Sequence, residues 1–178
     1  MTVTPEESTD DVRVRDAERA DLLAVHRIER ASFPSPWPMA AFERYLTSPA
    51  FLVAVDGEAA SDDPQNADRS ASEAIDAASV LGFVVADLVP NHGRPLGHVK
   101  DLAVHPDRRG EGVGSTLLGR ALAALRAESA NSVKLEVRVG SEGARSLYDR
   151  FEFEPLRRVP RYYDDGEDAI IMVRQLGD

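Results

Sequence analysis

The sequence predicts a mixed α/β fold, formed as one domain around a parallel crossover. Its 178 residues suit a single compact core. Residues 112–128 carry an apolar stripe at helical spacing, and in residues 133–139 apolar and charged side chains alternate as in a strand. Because a strand precedes this helix and another follows it, we expect two parallel strands joined across one face of the sheet.

The same reading of apolar periodicity extends along the chain and gives seven strands and four helices. Three prolines at 34, 36 and 38 must separate the first two helices, since proline fixes φ and restricts the residue before it. The break leaves a stiff loop that carries Trp37. The strands are expected at 12–14, 51–55, 80–89, 97–104, 133–139, 153–159 and 169–174, and the helices at 20–33, 39–47, 112–128 and 141–150.

Two segments lack the apolar residues that a core requires. Residues 1–11 are acidic, and we expect a flexible tail there. Residues 58–79 consist mainly of small and acidic side chains, so burial cannot offset the entropy of ordering them. We therefore expect a mobile polar loop inside one domain that spans residues 12–178.

Composition excludes several classes of function. The absence of cysteine excludes disulfides, thiolate metal sites and cysteine nucleophiles, and it favours a reducing compartment such as the cytoplasm. No stretch approaches the roughly 18 apolar residues of a membrane span. A net charge of −10 opposes nonspecific nucleic-acid binding and fits either a salt-rich cytoplasm or an ordinary acidic protein. We expect neither nucleic acid nor membrane as a partner.

A glycine-rich loop at 110–114 lies between a strand end and the strongest helix. Glycine lets the backbone turn so that several N–H groups converge on one anion at a helix N-terminus, where a diphosphate would fit. A simple connecting turn is the alternative, but Arg108 and Arg109 add local positive charge. A Walker loop requires Gly-Lys, and a dinucleotide fingerprint requires glycine where Leu117 stands.

The pattern Arg109-X-X-Gly112-X-Gly114, after the strand sequence Asp101-Leu102-Ala103-Val104-His105-Pro106, resembles the acyl-CoA loop of the Gcn5-related N-acetyltransferase (GNAT) superfamily. The resemblance implies the GNAT fold, a mostly antiparallel sheet of about seven strands with a splayed parallel pair in the middle. It implies acetyl-CoA as co-substrate and no metal. The implied cofactor residues are Leu102, Ala103 and Val104 along the acetyl and pantetheine arm, and Arg109, Gly110, Glu111, Gly112, Val113, Gly114 and Ser115 at the diphosphate.

Further segments are similar to ribosomal-protein-alanine N-acetyltransferases (RimI) and to archaeal N-terminal acetyltransferases. These are Ile28-Glu29, Phe33 with Pro36-Trp37, residues 135–138, residues 144–148, Arg161-Tyr162-Tyr163 and residues 166–172. The resemblance implies acetyl transfer to the α-amine of a protein N-terminus, such as that of a ribosomal protein. Acetylation of lysine or of a small amine, and a non-catalytic CoA-binding module, are the alternatives.

The resemblance also assigns roles to individual side chains. It makes Glu136 the general base and Tyr148 the general acid, and it places Trp37, Tyr162 and Tyr163 at the peptide entrance. An α-ammonium has a pKa near 8, against about 10.4 for lysine, so a carboxylate acting directly or through water can deprotonate it near neutral pH.

The pattern alone allows less specific readings of the same residues. Glu136, between two basic residues on a strand, fits a solvated face. Tyr148 beside Leu147 fits a core position, and the other three aromatic residues fit ordinary packing.

Two positions depart from the family pattern. Ser141 stands where asparagine commonly contacts the cofactor, and Glu152 stands where glycine usually precedes the phenylalanine. Ser141 remains a candidate cofactor contact through its hydroxyl group. The four histidines, at 26, 92, 98 and 105, lack metal-ligand spacing and receive no catalytic or metal role.

Overall fold

The computed structural model describes residues 12–57 and 80–177. One sheet carries two helices on each face. The strands are β1 (Val12–Asp16), β2 (Ala50–Asp56), β3 (Val80–Val89), β4 (Leu96–Val104), β5 (Ser132–Arg138), β6 (Glu154–Val159) and β7 (Ala169–Gln175), and the helices are α1 (Leu22–Ser32), α2 (Met39–Arg44), α3 (Val113–Ala127) and α4 (Glu142–Arg150). The tail expected at 1–11 and the loop expected at 58–79 lie outside these residues.

The strands follow the order β1-β2-β3-β4-β5-β7-β6. Every neighbouring pair is antiparallel except β4 and β5, which are parallel and joined through α3. β3 and β4 form an antiparallel hairpin, and the predicted parallel crossover is confirmed. The mixed, mostly antiparallel sheet of seven strands is confirmed with them.

The parallel pair separates along its length. β4 and β5 pair only from Leu96 opposite Ser132 to Val99 opposite Leu135. On its other side β4 stays paired with β3, where Lys100 is an additional residue between Val99 and Asp101 in the register. Such a bulge bends and twists the strand locally. The remainder of β4 thus leaves β5, and a cleft opens between the two strands.

Two apolar clusters hold the layers together. On one face α1 and α2 pack on the sheet through side chains that include Val25 and Phe42, which are fully buried. On the other face α3 packs through the stripe predicted from sequence, and all six of its residues are buried: Val113, Leu117, Leu118, Ala121, Leu122 and Leu125. Burial of these side chains is the main force that fixes both helix layers on the sheet.

Helix α2 is shorter than predicted, ending at Arg44 where the sequence suggested residue 47. The chain continues in tighter turns, since the Tyr45 N–H bonds to the Phe42 carbonyl and the Ser48 N–H to the Tyr45 carbonyl. Pro49 disfavours helical geometry at Ser48 and reinforces the stop. No helix in the described part of the chain is long and apolar enough to cross a membrane.

The turn between α4 and β6 requires a left-handed residue. Glu152 has φ of 62°. The N–H groups of Glu152 and Phe153 bond back to the carbonyls of Asp149 and Tyr148, which closes the helix end. A left-handed residue there usually is glycine, because a Cβ atom is strained in this conformation.

Replacing Glu152 with glycine should therefore stabilise the protein by roughly 0.5–1 kcal/mol, the relief of left-handed strain less the added chain entropy. Urea unfolding measures the change. Glu154→Gly, on the exposed strand β6, is the matched control and should destabilise. Equal changes in both variants would contradict the strain at Glu152.

Candidate active site

A cavity of about 480 Å³ lies where β4 and β5 separate. Its walls come from α1, the loop after it, β4, β5, α4 and the loop between β6 and β7. Of the residues singled out from sequence, it brings together Trp37, Leu102, Glu136, Ser141, Tyr148, Tyr162 and Tyr163. Residues 109–115 lie beyond this cavity, at the end of β4.

Glu136 lies on the cavity face of β5. The strand alternates, so Val133, Leu135 and Val137 are buried against α3 while Glu136 points the opposite way. Its side chain is only 14% exposed, and its Oε2 lies 2.6 Å from Nε2 of His98. The reading of Glu136 as a solvated surface charge is therefore wrong.

His98 is the functional candidate that the sequence analysis missed. It is 38 residues from Glu136 along the chain, and its spacing from the other histidines marks no site. The parallel register puts His98 opposite Lys134, so His98 and Glu136 lie on neighbouring strands. Its proximity to Glu136 could have been predicted only from the pairing of β4 with β5.

The surroundings of Glu136 favour its ionised form. Burial raises the pKa of Glu136, but the hydrogen bond and charge of His98, with the charges of Lys134 and Lys100, outweigh burial and leave that pKa below its ordinary value. Lys134 Nζ lies 3.8 Å from Glu136 Oε1. Glu136 is thus a carboxylate at neutral pH with a fixed orientation.

Tyr148 fits both readings made from sequence. It is a core residue, 7% exposed, whose ring packs edge-on against Phe153 at 5.8 Å. It also lines the cavity. Burial, followed by the charges of Asp101 and Tyr163, raises the pKa of the Tyr148 phenol well above its ordinary range. The phenol therefore keeps its proton at neutral pH, as a proton donor must.

Tyr162 and Tyr163 form the wall contributed by the β6–β7 loop. Their rings meet edge-on at 5.0 Å, and the guanidinium carbon of Arg138 lies 4.0 Å from the Tyr163 ring centroid. Arg138 Nη1 also bonds to Asp165 at 2.8 Å and to Glu167 at 3.0 Å. Burial raises the pKa of Tyr163 to about 12. Arg138 thus anchors this wall to β5.

Trp37 forms the opposing wall. Its ring stacks on Tyr45 at 5.6 Å and contacts Phe42 at 5.5 Å, which extends the apolar core up to the cavity. The ordinary packing role and the cavity-lining role therefore coexist in this side chain.

The glycine-rich loop has the geometry of an anion site. Gly110 and Gly112 have φ of 78° and 83°, and a Cβ atom on either would meet nothing within 4 Å in the described structure. The Thr116 N–H bonds to the Gly112 carbonyl at 3.1 Å as the first bond of α3. The N–H groups of residues 113–115 therefore have no acceptor within the helix. The N-cap residue is Gly112, which has no side chain that could accept a hydrogen bond from them.

Arg109 and Ser141 flank this region. The Arg109 guanidinium bonds to the Val104 carbonyl and to Ser32 Oγ, both at 3.1 Å, so it ties the loop to β4 and to α1. Ser141 begins α4 and lines the cavity. Across residues 12–57 and 80–177, no three His, Asp or Glu side chains are grouped to hold a metal.

The fold and the site define an acyltransferase domain, and comparison with known proteins agrees. The profile of the Acetyltransferase (GNAT) family matches residues 22–153, so the chain belongs to that family. An N-alpha-acetyltransferase of Sulfolobus acidocaldarius is 32% identical over 177 residues and covers 92% of each chain.

Solved structures show the same fold. Ard1 from Thermoplasma volcanium superposes with a TM-score of 0.76 at 25% identity, covering 94% of this chain and 99% of that one. The ribosomal-protein-S18-alanine N-acetyltransferase from Escherichia coli gives 0.70 at 22% identity, covering 94% and 95%.

Replacing His98 with asparagine should raise the pKa of Glu136, because His98 supplies the largest influence that lowers it. Carboxyl NMR titration of Glu136 measures the shift. A lowered folded-state pKa stabilises the fold above the ordinary glutamate pKa, and this contribution disappears as the pH falls through the lowered value. The stability of His98→Asn should therefore no longer show the loss at low pH that the lowered pKa of Glu136 causes in the parent. An unchanged Glu136 titration would contradict the pairing.

Proposed function

We propose that this protein transfers the acetyl group of acetyl-CoA to the α-amine of a protein N-terminus. The observation that carries the proposal is the cavity between β4 and β5, which Glu136, His98 and Tyr148 line together and in which His98 Nε2 lies 2.6 Å from Glu136 Oε2. Membership of the GNAT family and the likeness to N-alpha-acetyltransferases support it.

The residues at the opening of the sheet suit acetyl-CoA. The N–H groups at the start of α3 would hold its diphosphate, and the edge of β4 at Leu102, Ala103 and Val104, which β5 leaves unpaired, would hold the pantetheine arm. The space beside Gly110 and Gly112 is open. A phosphate group bound at this loop would occupy that space. Bound acetyl-CoA supplies an activated thioester.

In the proposed mechanism the Glu136–His98 pair removes a proton from the α-ammonium. A carboxylate with a lowered pKa is a weak base toward an ammonium whose pKa is near 8. Histidine is the usual proton-accepting side chain near neutral pH, and neutral His98 would take the proton while the 2.6 Å bond lets the Glu136 carboxylate stabilise the imidazolium that forms. The charge of that imidazolium is the one that lowers the pKa of Glu136. The neutral amine then attacks the thioester carbonyl and forms the N–C bond. As the C–S bond breaks, Tyr148 donates its phenol proton to the CoA sulfur, and the second proton lost by the nitrogen restores the phenol.

An α-amine suits this base better than lysine does, since lysine holds its proton about two pKa units more tightly. Trp37, Tyr162 and Tyr163 line the same cavity and would flank the end of the acceptor chain. More specifically, we propose that the acceptor is the N-terminal alanine of a ribosomal protein. This is the substrate named for the Escherichia coli enzyme that has the same fold.

A peptide panel tests the proposal. Peptides beginning with Ala, Ser or Met, an internal-lysine peptide and polyamines are incubated with acetyl-CoA, and products are identified by mass spectrometry. N-terminal acetylation supports the proposal. Turnover of lysine or polyamines alone would assign a different acceptor, and no turnover at all would favour a CoA-binding module.

Glu136→Gln and Tyr148→Phe test the roles of the two side chains. Each should lower kcat by about a hundredfold or more, as expected for loss of a proton-transfer group. The peptide KM should change little, because both replacements keep nearly the same side-chain shape in the cavity wall. Steady-state kinetics measures both constants. Parent-like kcat in both variants would contradict the proposed mechanism.

Gly112→Ala should weaken acetyl-CoA binding by about tenfold or more, because the methyl group occupies the space proposed for phosphate. Gly93 is the matched control, since it has φ of 93° and the same open surroundings. Its alanine variant carries similar backbone strain far from the loop. Calorimetry should show weaker binding for Gly112→Ala only, and equal affinities would exclude this loop as the site.

A further inference from the structure

Two carboxyl groups outside the proposed proton-transfer chain meet in the cavity wall. Glu29 is on α1 and is 1% exposed, although it borders the cavity. Asp101 is on β4 beside the bulge and borders the same cavity. The two side chains lie within hydrogen-bonding distance of each other. The pair therefore joins the α1 layer to the strand that forms the cleft.

The buried oxygens of this pair lack donors. Glu29 Oε2 and Asp101 Oδ2 are fully buried, and no donor among the described residues reaches either of them. Two ionised carboxylates would repel each other there and leave both atoms unsatisfied. One proton held between the groups removes the repulsion and supplies the missing hydrogen bond.

The charges around the pair agree with a shared proton. Burial, then the charge and hydrogen bond of Glu29, raises the pKa of Asp101 well above its ordinary range. Burial also raises the pKa of Glu29, against the opposing influence of Asp101, the Trp37 N–H and His26. From the far wall Tyr148 adds a phenol that stays neutral.

Glu29 also holds the loop that forms the Trp37 wall. Its Oε1 accepts the Trp37 N–H at 2.9 Å. The prolines at 34, 36 and 38 have no N–H, so this loop has few backbone groups with which to fix itself. The orientation of the Glu29 carboxyl therefore sets the position of the wall.

We propose that Glu29 and Asp101 share one proton and act together as positioning residues that hold the Trp37 wall for the incoming acceptor. The inference rests on the proposed function for its acceptor, a peptide N-terminus. The pair touches neither the reacting nitrogen nor the thioester in this assignment. What matters is the hydrogen bond between the two groups, and an amide N–H can replace the shared proton.

Asp101→Asn and Glu29→Gln keep that hydrogen bond, and each should leave the peptide KM within about twofold of the parent. Asp101→Leu and Glu29→Met remove it, and each should raise the peptide KM by about tenfold with kcat changed little, because the wall loses its anchor. Asp149→Asn, on the exposed face of α4, controls for the lost charge.

Amide variants as impaired as the apolar ones would overturn the proposal, since a charge and not a hydrogen bond would then be required. Parent-like KM in the apolar variants, or a fall confined to kcat, would overturn it as well. The Glu29 variants test the proposal even where Asp101→Leu does not fold.

Infrared spectroscopy tests the shared proton without any activity. The parent at neutral pH should show the carbonyl band of a protonated carboxyl group, which disappears in Asp101→Asn and in Glu29→Gln and persists in Asp149→Asn. A parent without this band would overturn the proposal. If the protein acetylates no peptide, the proposed function fails, while the infrared result still decides whether the pair holds a proton.

Discussion

The separation of β4 from β5 is the constraint on which the whole site depends. Parallel pairing ends at Val99 and Leu135, and the bulge at Lys100 turns the rest of β4 away. In a continuous sheet, the backbone N–H and C=O groups beyond these residues would pair between β4 and β5. Here they border the cleft and are not paired across it. The α3 stripe belongs to the same buried apolar cluster as Val99 of β4 and Val133 of β5, which stabilises the paired ends of the two strands.

This geometry gives each layer a separate part of the proposed chemistry. α3 presents its N-terminus at the end of β4, where we propose that the diphosphate binds. β4 and β5 bring His98 and Glu136 to 2.6 Å, while α4 supplies a buried phenol. The proposed cofactor site and the proposed proton-transfer residues thus lie at one opening, although they are far apart along the chain.

The acceptor side of the cavity is built differently. Its walls are loops held by side chains: Arg138 anchors Tyr163 through a ring contact and two carboxylates, and Glu29 anchors the backbone of Trp37. Loops fixed by charged side chains can change more readily than a sheet core, so a shared acetyl-transfer centre can serve different acceptors. The Glu29–Asp101 pair belongs to this adjustable part.

The sequence alone determined the elements and their order, because helical and strand periodicity are local patterns. The α3 stripe and the alternation in β5 were predicted within one or two residues of their ends, and the glycine loop was found by its spacing. Only the tertiary structure decided which side chains meet. His98 sits on β4 with no local pattern that marks it, and no local pattern shows which side chain Asp101 meets. Their partners come from β5 and α1 through strand register and helix packing. Those contacts join residues many positions apart, so periodicity carries no information about them.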